Sequence, residues 1–315
     1  MAEHFLFHVS GLEVLAPGVA VSEGGLQPQL DFNLPGWDLV LAPTTSNGAG
    51  PGFSAVIRAT PRLPFDGADI GRLHRRLFIL LSFLANREVG VGPVCGCRER
   101  DEVAWVKWGA PRLRPRAASF RWCPPQNLDK ALPVLAEGLT TLAGDPAMEK
   151  IVGRTVNHLL VACGEELIDA RIPVLTAGLD LLAWGQLRRN GWSMRKLKDL
   201  SAAESTRHLI EWAGIPTAIP ESLDDFPVDP EGSEPADGPR AISVVRNRLV
   251  HPPRRLDDPE WPEDAQLRAA WQLGTWYLEL ALLRVLGYEG EYQTRLELDR
   301  YVGHLEPVPW AASRS

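Results

Sequence analysis

The sequence predicts an α+β protein, with a β-rich domain over residues 1–125, an α-helical bundle over 126–296 and a tail over 297–315. Three observations predict it. Before residue 125, short apolar runs are cut by Pro and Gly at strand-like intervals. After Pro124–Pro125 the apolar period changes to steps of three and four and stays there. Charge divides at the same place: residues 1–125 carry 13 basic and 11 acidic groups, whereas 126–315 carry 20 and 29.

The first half reads as strands at Phe5 to Val9, Trp37 to Ala42, Gly52 to Ala59 and Val103 to Trp108. Ile70 to Asn86 breaks that pattern. Leu73, Leu77, Leu80, Leu81 and Leu84 fall at helical spacing, so a helix packed on a sheet is expected. A further loop and strand begin at Gly90 to Pro93. In the second half, Leu128 to Leu142 carries one apolar seam. Asp145–Pro146 places a capping carboxylate before a proline at the first helical position. Ile168 to Leu182 forms another seam, and Pro173 inside it predicts a kink or a restart. Ser201-Ala-Ala-Glu204 is a capping-box match that opens a helix ending at Gly214-Ile-Pro216. Residues 217–238 hold seven Asp/Glu and no Lys/Arg, which reads as a loop. Ala241 to Val250 fits a short helix stopped by Pro252–Pro253. A long apolar helix follows from near Pro262 to Gly287.

Composition narrows the function classes. A net charge of −7 excludes a globally basic nucleic-acid binder but leaves room for a local basic groove. No apolar run approaches the ~20 residues of a membrane span, and Met1 to Ser10 lacks a signal-peptide pattern. Four cysteines do not make a disulfide framework in a chain of 315 residues, so a cytosolic protein with reduced thiols is expected. There is no phosphate-binding glycine loop, no Gly-x-Ser-x-Gly and no dinucleotide fingerprint.

The stretch Arg246-Asn-Arg-Leu-Val-His251 is the most informative. A guanidinium binds phosphate oxygens in a planar fork. An imidazole changes charge near neutral pH. An amide beside them can orient either one. RNA carries its own nucleophile, the 2′-hydroxyl. Cleaving it without a metal needs a base for that proton and a cation for the charge that develops on phosphorus. On an ideal helix Arg246 and His251 lie ~140° apart. They can converge only if the helix unwinds before His251 or if two copies pool their residues. Pro252 favours unwinding, because the residue before a proline avoids the helical region.

At these residues the sequence resembles the HEPN superfamily, α-helical domains that include many metal-independent endoribonucleases, through its Arg-x(4–6)-His motif. The resemblance is strongest to the HEPN domain of ApeA-like anti-phage proteins. Leu175 to Trp184, Leu209-Ile-Glu-Trp-Ala-Gly-Ile-Pro216 and Trp276 to Tyr288 carry it, and it covers roughly 126–296. It implies Arg246 and His251 as the catalytic pair and Asn247 as their polar support. It also implies an RNA substrate, with tRNA a candidate, cut to a 2′,3′-cyclic phosphate, and a homodimeric site. No cofactor and no membrane are implied. The setting would be anti-phage defence or toxin-like growth arrest, with a phage-derived or regulatory protein as trigger and the N-terminal domain sensing or restraining. Two departures stand out: Asp180 lies where relatives often have Glu, and Pro173 is unusual in that helix. The alternative is an inactive HEPN scaffold that binds RNA or protein, which the acidic balance of the second half favours.

Weaker candidates complete the reading. Arg98 to Trp122 interleaves basic and aromatic residues, with Arg112, Arg114 and Arg116 as its sharpest part. Arg188, Arg189, Arg195, Lys196 and Lys198 form a second basic cluster, and Arg248 is a further phosphate candidate. Cys95-Gly-Cys97 with Cys123 lacks the usual zinc spacing, so no metal is expected.

Overall fold

Alternation in the first strand sets the sheet: Phe5, Phe7 and Val9 are fully buried on one face, while Leu6 and His8 on the other are half-buried. The computed structural model describes residues 2–12, 29–43, 54–109, 120–164, 167–223, 226, 237–251, 261–296 and 304–311. The chain divides into two units, Met1–Gly144 and Asp145–Ser315.

The first unit holds β1 (His4–Ser10), β2 (Leu30–Leu34), β3 (Trp37–Pro43), β4 (Ala55–Pro61), α1 (Gly67–Ala85), β5 (Gly90–Cys97), β6 (Val103–Lys107) and α2 (Leu128–Leu142). The six strands form one antiparallel sheet in the order β2-β3-β4-β1-β5-β6. Strand β2, which sequence patterning misses, pairs with β3 through a two-residue turn. There Pro35 fixes the first corner and Gly36 takes φ +81°. Helix α1 opens on a capping box between Asp66 and Asp69 and closes on Asn86 in the left-handed region. Trp122 is fully buried against Phe83, with ring centroids 5.1 Å apart, and its Nε1–H donates to the Phe83 carbonyl at 2.9 Å.

Helix α2 corrects the expected boundary at 125/126. It packs on β2 and α1, so the division falls at Gly144/Asp145. Helical period identifies a helix but not the layer it covers.

The second unit holds α3 (Pro146–Ala162), α4 (Ile168–Arg189), α5 (Met194–Lys198), α6 (Ala202–Ala213), α7 (Gly238–Val250), α8 (Asp264–Val285), β7 (Glu291–Tyr292) and β8 (Glu306–Pro307). Residues 273–283 of α8 are buried without interruption, the mark of a helix enclosed on all sides. Helix α4 packs on α3, α6, α7 and α8. It runs through Pro173 with no restart. The proline lies in the second turn, where its missing N–H leaves the Asp169 carbonyl without its helical donor. The expected tail is anchored: β7 pairs with β8, and Trp310, 5% exposed, donates to the Tyr288 carbonyl at 2.8 Å.

The start of α7 is fixed on three sides. Asp237 caps it by accepting from the Arg240 N–H at 3.0 Å, and Arg207 of α6 grips the same carboxylate through Nε at 2.5 Å and Nη2 at 3.1 Å. The Thr217 carbonyl accepts from the Gly238 N–H at 2.8 Å and from the Tyr277 hydroxyl at 3.3 Å. These bonds bring the two ends of the acidic segment 217–238 together. A Cβ on Gly238 would overlap the Tyr277 hydroxyl. Gly238→Ala is therefore expected to cost about 1–3 kcal/mol, read as a lowered urea midpoint; an unchanged midpoint would remove this account of how α7 is placed.

Candidate functional site

Positions 239, 242, 243 and 246 of α7 recur at helical spacing and turn one face to a small cavity closed by α4 and α6. Arg246 reaches this cavity from α7 with Ser243 beside it. Thr176 and Asp180 meet it from α4, and Thr206 from α6. The cavity is about 20 Å³, room for about one water. Any substrate would therefore meet Arg246 from its half-exposed outer side.

Asp180 and Arg246 are the electrostatic pair of the site. Burial pushes the Asp180 carboxyl up to about 6, and the positive charge of Arg246 holds it from rising further. The folded state thus keeps a proton that the unfolded chain releases near pH 4. Ionising Asp180 costs stability as pH rises from about 4 through about 6. Asp180→Asn removes that cost. Melting scans are expected to find the variant more stable than the parent at neutral pH and equal to it at pH 4 and below; an equal shift at both would contradict the sign.

Asn247 touches Arg246: its Oδ1 accepts from Arg246 Nη1 at 3.0 Å. The end of α7 also matches the unwinding expected before Pro252. His251 keeps the last helical bond, its N–H to the Asn247 carbonyl at 3.1 Å, but takes φ −108° and ψ 141°. The chain leaves the helix there and the residue is exposed. This end is held from behind by a buried cluster of Ile172, Val245, Leu267 and Ala270, with Leu249 and Trp271 packed on it. The imidazole is not among the groups that line the cavity, so within one chain the structure joins Arg246 to Asp180 and Asn247, and leaves His251 at the helix exit. Ser243 and Thr206 escaped sequence reading; the only signal was Ser243 lying three positions before Arg246.

The other candidates separate. Arg112, Arg114 and Arg116 lie outside the described residues. Trp122 is a core residue and cannot stack on a base. Trp105 packs against Gly96 and lies 5.8 Å from the Phe5 ring, while Trp108 is 81% exposed. Arg248 is half-buried on another side of α7. Arg188 and Arg189 are exposed at the end of α4, and Arg188 Nη1 donates to the Trp192 carbonyl at 2.5 Å. Burial pushes the Cys123 thiol up to about 12, and the four cysteines form no disulfide. Among the described residues no group of three His, Cys, Asp or Glu could hold a metal ion, and no helix is long and apolar enough to cross a membrane.

An antiparallel-sheet unit followed by a helical unit that begins at Asp145 defines the class of chain. The second unit is a YopA C-terminal domain: that family's model matches residues 145–306, and the chain belongs to the family. The chain is similar to the SPbeta prophage-derived uncharacterized protein YopA of Bacillus subtilis (strain 168), at 32% identity over 252 residues. The match covers 78% of this chain and 55% of that protein, so the chain spans about half the length of the curated relative it matches. No solved structure matches it.

Proposed function

We propose that the chain is a metal-independent, HEPN-type endoribonuclease that cuts RNA, with tRNA the first candidate, by 2′-hydroxyl attack. One observation carries this reading: a single short helix presents Arg246, steadied by Asn247, and ends in an unwound, exposed His251. His251 takes the 2′-hydroxyl proton and returns one to the leaving 5′-oxygen. Arg246 holds the scissile phosphate and offsets its added charge. The product is a 2′,3′-cyclic phosphate. In keeping with the ~140° between Arg246 and His251 on an ideal helix and with the family resemblance, the proposed site is completed by the partner chain of a homodimer, with Arg246 of one copy meeting His251 of the other. The prophage origin of the Bacillus relative supports a cytoplasmic role in phage competition, either anti-phage defence or toxin-like arrest. The sheet unit would then sense the trigger.

The test is incubation of the full chain with total tRNA in EDTA. Discrete fragments are expected. Intact tRNA, both alone and with phage-infected lysate added, would refute the proposal. A second reading, a non-catalytic binding scaffold, draws on the size of the cavity, which admits a water and no nucleotide.

A further inference from the structure

We infer that the corner joining α4 to α5, residues 188–198, is a docking surface for single-stranded RNA whose scissile phosphate lies at Arg246. The nature of the polyanion rests on the proposed function; the location rests on charge and geometry.

From Leu181 to Lys198 the chain has no acidic residue, and Arg188, Arg189, Arg195, Lys196 and Lys198 are all exposed. The rest of the helical half is acidic, so this cluster stands apart from its surroundings. It is also built rigidly. Gly191, at φ +86°, closes α4 with two bonds, Gly191 N–H to the Arg188 carbonyl at 3.0 Å and Trp192 N–H to the Leu187 carbonyl at 3.1 Å. Ser193 then caps α5 by accepting from the Lys196 N–H at 3.2 Å. The Trp192 ring packs against the His208 ring of α6, with centroids 4.8 Å apart, while Lys196 Nζ lies 3.3 Å over its face. Trp192 is thus an anchor for the corner and not a stacking platform. Arg189, Arg195 and Lys198 are the head groups left to meet phosphate.

Two of the neighbouring carboxylates are engaged. Glu204 is committed to the Ser201 cap, and Glu211 faces His208 at 3.4 Å. Asp199 is the first acid past the cluster. The corner also adjoins the candidate site along the chain: Ala202 and Ala203 line the cavity, and the four steps along the backbone from Lys198 to Ala202 span at most roughly 14 Å. A strand whose scissile phosphate lies at Arg246 can therefore lay its flanking phosphates on the corner. Attack by the 2′-hydroxyl needs a flexible nucleotide, which favours a single strand over a duplex.

The test is fluorescence anisotropy of a labelled single-stranded RNA in EDTA, with the full chain carrying His251→Ala to stop turnover. Adding Arg189→Ala, Arg195→Ala and Lys198→Ala together is expected to raise Kd about tenfold or more. It should also flatten the plot of log affinity against log salt by about 2, at roughly 0.7 per lost phosphate contact. These are surface changes, and an unaltered melting temperature confirms the fold. An unchanged Kd, no binding by the parent, or parent binding to phosphatidylserine vesicles in place of RNA would each overturn the inference. Binding is read without cleavage, so loss of the nuclease reading leaves this outcome legible.

Discussion

Replacing His251 by alanine is expected to lower RNA cleavage at least about 100-fold, the usual range for removing a general acid–base group. The melting temperature should barely move. His251 is exposed, and the helical bond it makes uses its backbone N–H, which alanine keeps. Arg246→Ala should cost a comparable factor for a different reason, loss of charge stabilisation at phosphorus. Arg246→Lys should recover little, because an ammonium cannot copy the planar fork. If the two residues act across a dimer, a mixture of His251→Ala and Arg246→Ala chains should regain activity that neither has alone. A fully active His251→Ala protein would contradict the mechanism.

The largest effect on stability is expected at Glu279. Its carboxylate accepts from Arg295 Nε and Nη2, both at 2.7 Å, and the two side chains are 2% and 4% exposed. Arg295 also donates to Cys163 Sγ at 3.5 Å, so the pair ties α8 to the end of α3 and to the segment after β7. Burial pushes the Glu279 carboxyl up, and Arg295 opposes that. The two halves of the pair are not equivalent. Without Arg295, Glu279 can neutralise itself by taking a proton. Without Glu279, Arg295 stays charged in the core. Glu279→Leu should cost about 3–5 kcal/mol, a fall of roughly 10 °C in melting temperature, and more than Arg295→Met. The double substitution should recover most of the loss. Equal losses for the two single variants, or losses that simply add, would contradict this account of the pair.

Local chemistry was the most legible part of the sequence. Asp145–Pro146, Ser201 to Glu204 and Gly214 each mark a helix end through bonds made within a few residues, and each is found where the sequence places it. What depends on distant partners was not legible. Helix α2 has the same period as the bundle helices but packs on a sheet. Strand β2 is short, and its inward pair, Phe32 and Leu34, resembles loop sequence until β3 lies beside it. At the candidate site the motif gave Arg246, Asn247 and the unwinding at His251, all of them features of one short segment. The meeting of Asp180 with Arg246 depends on how α4 crosses α7, which spacing along the chain does not encode.

In the proposed reaction the RNA's own 2′-hydroxyl attacks, driven by Arg246 and His251. The most direct measurement pairs an RNA cut by the wild-type chain with the same RNA carrying a single 2′-deoxy nucleotide on the 5′ side of the cut, both in EDTA. A 2′,3′-cyclic phosphate and a 5′-hydroxyl are expected from the first, and no cut at that position in the second. Cleavage of the deoxy-substituted strand, or fragments bearing a 5′-phosphate, would contradict it.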